Sequence, residues 1–105
     1  MDGNYPSDGY TLFTNGDTTP AINVSGGNLF KTANLGATTI TMFDGQALWT
    51  GRTIYVLIGD AFTTLDFSSS NLMGNAGVDK TFAAGDMVVA TWDGLNWMCT
   101  LILAS

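Results

Sequence analysis

No stretch of the chain keeps apolar residues at the three-and-four spacing of an amphipathic helix, and glycine recurs too often for a long helix to persist. What the sequence offers instead are short apolar and β-branched runs broken by Gly, Asp, Asn and Ser, the mark of strands joined by turns. The expected strands are 21–24, 28–32, 38–43, 52–58, 63–67, 86–92 and 97–103. Residues 1–20, rich in Gly, Asn, Asp and Pro, read as an N-terminal arm or connector with one short strand at Tyr10-Thr11-Leu12-Phe13. Residues 21–105 then form a single all-β domain, which the 105-residue length also favours. Fifteen Thr and no Glu bias the chain the same way, since Thr is β-branched and suits strands.

Individual runs carry more. Thr63-Thr64-Leu65-Asp66-Phe67 alternates, placing Leu65 and Phe67 on one face and Thr64 and Asp66 on a wet one. Ile54 to Ile58 and Trp97 to Leu103 are apolar on both faces, so each is expected to be covered on both sides, by a second sheet or by another subunit. Trp92-Asp93-Gly94-Leu95-Asn96-Trp97 reads as a hairpin of three to four loop residues, with the two tryptophans as cross-strand neighbours. Ala37-Thr38-Thr39-Ile40 echoes Phe62-Thr63-Thr64-Leu65 at an offset of 25. One echo falls short of the three repeats of a solenoid, yet it permits short β-helical stacking. The expected fold is a small β-sandwich-like domain, with that stacking as an allowed variation.

Composition excludes whole classes of partner. Lys31, Arg52 and Lys80 are the only basic residues and the net charge is −6, which leaves no cation cluster for nucleic acid or an anionic membrane surface. No apolar run approaches the roughly 20 residues of a membrane span. Met1-Asp2-Gly3-Asn4 lacks the basic and apolar regions of a signal peptide. Cys99 is a lone thiol in a strand and reads as an inert small hydrophobe, in keeping with assembly in a reducing cytosol.

Catalytic chemistry would have to come from aspartates, because His and Glu are absent. Asp2, Asp8, Asp17, Asp44, Asp60, Asp86 and Asp93 each adjoin a glycine, the setting of turn residues whose carboxylates cap backbone N–H groups. Asp66 and Asp79 alone escape that pattern. They are the only candidates for a glycosidase-like pair, and no catalytic residue is assigned. With one Cys and no His, transition-metal ligands are lacking, and no Asp-x-Asp-x-Asp-Gly loop suggests calcium; no metal and no cofactor is expected. Flat aromatic faces remain. Trp92 and Trp97 are expected to pack in the core, whereas Trp49, in the loop Gln46-Ala47-Leu48-Trp49-Thr50-Gly51, fits core and interface equally. Trp49, Tyr55, Asp66 and Asp79 are the candidate ligand-binding residues.

The run Gly27-Asn28-Leu29-Phe30-Lys31-Thr32, then Gly36-Ala37-Thr38-Thr39-Ile40 and Phe43-Asp44-Gly45, resembles modules near the ends of bacteriophage tail fibres and tailspikes. The resemblance continues through Gly51-Arg52, Gly59-Asp60, Thr63 to Phe67, Asn71 to Asn75, Ala84-Gly85-Asp86 and Trp92 to Trp97, about residues 17–100. It departs at Leu48-Trp49, bulkier than the Gly-rich turn the pattern expects. The resemblance implies a non-enzymatic virion structural protein, assembled in the host cytoplasm, that forms a homotrimer at a fibre tip and meets a host cell-surface polysaccharide. The alternative is a free-standing, monomeric carbohydrate-binding module relying on exposed Trp and Tyr; a small glycosidase or lyase is a third.

Overall fold

A computed structural model describes residues 9–23, 27–45 and 48–104. The described residues form nine short strands: β1 (Thr11–Leu12), β2 (Leu29–Lys31), β3 (Thr38–Ile40), β4 (Thr53–Leu57), β5 (Thr63–Leu65), β6 (Leu72–Met73), β7 (Lys80–Thr81), β8 (Met87–Trp92) and β9 (Trp97–Ile102). They form two mixed sheets, a large one in the order β1-β2-β4-β8-β9-β6 and a small one in the order β3-β5-β7. The all-β expectation holds. Among the described residues no helix is long and apolar enough to cross a membrane.

The chain winds as a short coil stack. β2 lies in the large sheet and β3 in the small one; β4 and β5 repeat that passage and pair in parallel with them. Leu29 stands beside Tyr55 and Thr38 beside Thr63, so the next turn of the coil lies 26 and 25 residues on. The sequence echo is this register: Thr38, Thr39 and Ile40 pair with Thr63, Thr64 and Leu65. An earlier partial turn is stacked in the same sense, with β1 parallel to β2 and a single parallel bridge between Ala21 and Asp44. That bridge is all the regular pairing found in the stretch expected to be a strand at 21–24, whose last residue lies outside the described residues. Antiparallel strands close the stack, β8 on β4 and β7 on β5. β6 and β7, two residues each, had no alternating pattern to announce them.

One buried cluster draws on both sheets. Phe30, Ile54, Val56, Val88, Ala90 and Trp97 of the large sheet pack with Ile40 and Leu65 of the small one, together with Phe13, Phe43 and Phe82. Register explains which residues turn inward. Phe30, Val56, Val88 and Leu101 form one inward row; Ile54, Ala90 and Cys99 form another.

Among the described residues, the opposite face of the large sheet stays partly open. β4 and β9 are expected to be covered on both sides, by a second sheet or by another subunit; among the described residues the second sheet packs on their inner faces. On the outside Tyr55 is 42% exposed, Met98 48% and Ile102 47%. Period-two patterning reports which residues share a face, and it does not report what lies against that face.

Candidate functional site

Asp66 and Asp79 are brought together. Asp66 follows β5 and Asp79 precedes β7, the antiparallel partner of β5, so the pairing of these strands sets the two carboxylates side by side. Both accept the backbone N–H of Ser68, at 3.0 and 3.1 Å. Asp66 also accepts from Ser69 N at 2.8 Å, and Asp79 from Phe67 N at 3.0 Å. The Ser69 N–H does most to hold the Asp66 carboxyl below its usual range. A glycosidase acid needs the reverse, a carboxyl kept protonated near neutral pH. Through these bonds both carboxylates cap the turn that follows β5, as the other aspartates cap theirs.

The remaining described aspartates fit that pattern. Asp17 accepts from Thr19 N, Asp44 from Gly45 N, Asp86 from Ala83 N and Ala104 N, and Asp93 from Leu95 N and Asn96 N. Backbone N–H groups, foremost Ala104 for Asp86 and Asn96 for Asp93, hold both carboxyls below their usual range. Among the described residues no group of three or more Asp, Cys, Glu or His converges as a metal site.

Asp60 is the most heavily bonded. It accepts the Thr32 and Thr63 hydroxyls at 2.7 and 2.9 Å and the Asn34 and Phe62 N–H groups at 2.9 and 2.8 Å. Burial pushes its carboxyl up, but the four bonds outweigh that and hold it low. Asn34 extends the network, giving its amide N–H to Thr63 and taking the Gly16 N–H on its oxygen. Three successive turns of the coil, at Gly16, Asn34 and Asp60, are thus tied at one corner. Gly59 is required there, because a Cβ would lie 2.5 Å from the Thr32 carbonyl oxygen.

These shifts fix the acid response. A carboxyl whose folded pKa is depressed adds stability above its unfolded value, near 3.9, and loses it as pH falls toward the folded value. With Asp60, Asp66, Asp86 and Asp93 all shifted downward, Tm is expected to stay level from pH 7 to pH 5 and to fall steadily below about pH 4. Thermal melts across that range check it; a Tm that rises on acidification would contradict the capping role.

A second corner is built on Arg52, which is 2% exposed. Its guanidinium donates to the Ile22 carbonyl, to Asn28 Oδ1 at 3.1 Å and to the Gly27 carbonyl at 3.3 Å. It also lies 5.3 Å from the centroid of the Trp49 ring. Trp49 is 51% exposed, which settles its place outside the core. The turn carrying it is fixed by Arg52 N donating to Trp49 O and Gly51 N donating to Trp92 O, at 2.9 and 2.7 Å.

Tyr55 sits elsewhere, in the middle row of the large sheet's outer face with Leu29, Val89 and Thr100. A second outer row runs Leu12, Lys31, Leu57, Met87, Ile102, and a third holds Thr53, Thr91 and Met98. Lys31 is the one charged residue in the six strands, and its ammonium lies 5.1 Å from the centre of the Tyr10 ring. Among the described residues no hydrogen bond or ring contact joins Trp49 or Tyr55 to Asp66 or Asp79, so the four candidates form three separate places.

Cys99 is half-buried, and burial pushes its thiol up to about 12, the state of an unreactive cysteine. The sequence did not reveal the Arg52–Trp49 stack or the Asn34 network. A trace of the second was present: Asn34 and Asp60 stand 26 residues apart, the Leu29–Tyr55 offset.

Comparison of the chain with protein-family models, curated proteins and solved structures found no match in any of the three.

Proposed function

We propose that the chain is a non-enzymatic structural module of a phage tail fibre or tailspike, working as a homotrimer whose copies meet through the outer face of the six-stranded sheet. The observation that carries self-association is that face. Three rows of side chains present Leu, Ile, Val, Met, Tyr and Thr, with Lys31 as the single charge. The described aspartates lie in the turns and loops, off these strands, so close approach of two such faces brings no carboxylates together.

Size agrees. The six strands are two to six residues long, and at about 3.3 Å per residue and about 4.8 Å between strands they give a planar area of roughly 380 Å². The accessible area of the side chains is larger, which brings the face toward the roughly 800 Å² per partner of a standard interface. A patch of this extent matches the largest apolar patch on a typical soluble monomer, which is often functional. A dimer would also bury the face; the resemblance to fibre modules selects three copies.

An aspartate placed at the centre of the face separates assembly from folding. Tyr55→Asp is expected to yield a monomer of about 11.1 kDa with an unchanged far-ultraviolet spectrum, because Tyr55 contributes little to the inner core. A Tyr55→Asp protein with the wild-type mass would show that the copies do not meet there.

A further inference from the structure

We infer that Asn15 is a site of spontaneous deamidation, where the chain turns its own side-chain amide into an isoaspartate and so releases the earlier partial turn of the coil from the one that follows.

Sequence and local geometry meet the needs of that chemistry. The main-chain nitrogen of the next residue must reach the asparagine Cγ, and any side chain on that residue stands in the way. Asn15 is the one asparagine in the sequence that precedes a glycine. Asp17 N donates to Thr14 O at 3.1 Å, which closes a β-turn with Asn15 and Gly16 at its exposed centre. Gly16 has φ +78°, and beyond its chain neighbours nothing lies within 4 Å of the place a Cβ would take. That side of the turn is open.

The atoms balance with water as the only co-reactant. The Gly16 nitrogen gives up its proton and bonds to Asn15 Cγ; the Cγ–Nδ2 bond breaks and the amide leaves as ammonia. Water then opens the cyclic imide. Attack at the side-chain carbonyl gives aspartate. Attack at the main-chain carbonyl gives isoaspartate, whose backbone runs through Cγ and gains a carbon.

The reacting groups are also the ones that tie the corner. Gly16 N donates to Asn34 Oδ1 at 2.8 Å, and Asn15 Oδ1 accepts Leu35 N at 2.8 Å. The first bond holds the attacking nitrogen and the second holds the side chain that must swing onto it. The fold therefore slows the step, and a local opening of the corner admits it. That opening is within reach, because regular pairing fastens this part of the chain only through two-residue β1 and the single Ala21–Asp44 bridge.

Reaction makes the opening permanent. In the imide Gly16 N carries no hydrogen, so Asn34 Oδ1, on a residue only 5% exposed, loses that donor. In the isoaspartate the added carbon moves Gly16 out of the register in which it met Asn34. Phe13, two residues earlier, stacks on Phe30 with ring centres 5.2 Å apart, and its backbone N–H donates to Lys31 O at 2.9 Å. Those contacts are the first to loosen.

Incubation of the whole chain at mildly alkaline pH, where the Gly16 nitrogen loses its proton more readily, tests this by peptide mapping and isoaspartyl-methyltransferase labelling. Asn15 is expected to be the first asparagine converted, mainly to isoaspartate. Conversion should run at least about fivefold more slowly in the folded protein than in guanidinium chloride, as a step that waits on local opening must. The modified form, separated by its added negative charge, should exchange the Phe13 and Ile22 amides at least about tenfold faster than wild type while β8 and β9 keep their protection. Asn15→Asp carries the charge without the added carbon, keeps an acceptor for Leu35 N and should exchange as wild type does. Earlier conversion of another asparagine, or equal rates folded and unfolded, would overturn the assignment. So would wild-type exchange at Phe13 in the modified form, loss of protection across β8 and β9 as well, or equally fast exchange in Asn15→Asp.

Discussion

Trp97→Ala is expected to destabilise the domain by about 3–5 kcal/mol, the range for deleting a large buried aromatic. Trp97 is 1% exposed and meets Phe43 edge-on, with ring centres 5.6 Å apart and planes at 86°. Across the hairpin it faces Trp92 at 5.4 Å, and its backbone N–H, which alanine would keep, donates to the Asn71 carbonyl. Phe43 continues to Phe13 and Phe30, so the tryptophan anchors an aromatic run that crosses the core from β9 to β2. The void left by alanine would be lined by rigid rings that cannot collapse into it. For a domain of this size the loss corresponds to a Tm lower by roughly 12 °C or more. Trp92 is only half-buried, and Trp92→Ala should cost clearly less. Melting curves for the two variants decide it; a Trp97→Ala protein within about 3 °C of wild type would remove Trp97 from the centre of the core.

Arg52→Met is expected to cost about 3 kcal/mol or more, although methionine keeps much of the aliphatic stem. Hydrogen bonds to a charged donor contribute about 1.5–3 kcal/mol each, and a buried acceptor left empty costs about 1–3 kcal/mol. The Ile22 carbonyl is deep in the fold, Ile22 itself being fully buried, and Gly27 and Asn28 lose their donor as well. The effect is on stability and also local. With the guanidinium gone, the Trp49 ring loses the surface that holds it, so its fluorescence anisotropy should fall relative to wild type. Denaturant unfolding measures the first effect. A midpoint unchanged from wild type would mean that water replaces all three donations and that Arg52 is not a tie between turns of the coil.

How far the sequence announced this architecture depended on the range of the interactions involved. Alternation in Thr63 to Phe67 and the Trp92–Trp97 hairpin are local signals; the first formed a strand over Thr63–Leu65 and the second formed as expected, with Trp92 opposite Trp97. The Thr-Thr-Ile and Thr-Thr-Leu echo permitted a stacked arrangement without establishing one, and the two segments prove to be parallel neighbours one coil apart. Aspartates beside glycine announced turns, and Asp66 and Asp79, which lacked that neighbour, cap backbone N–H groups as well. Other features depend on partners that no local window contains. Arg52 reaches residues 24 to 30 positions away, and Asn34 reaches Asp60 and Thr63. The strands apolar on both faces gave the right residues for each face, and the pattern itself does not distinguish cover by a second sheet from cover by another subunit.

Self-association is the claim on which the proposed function stands, and mass in solution tests it most directly. Multi-angle light scattering on the eluting peak at micromolar concentration is expected to give a single species of about 33 kDa, three times the chain mass of 11.1 kDa. Because the proposed contact is apolar and the turn carboxylates repel one another, that mass should hold or rise in occupancy between 0.05 and 0.5 M salt, as screening within about 10 Å removes the repulsion. A single species of 11 kDa at every salt concentration would contradict the account and leave a monomer with an uncovered sheet.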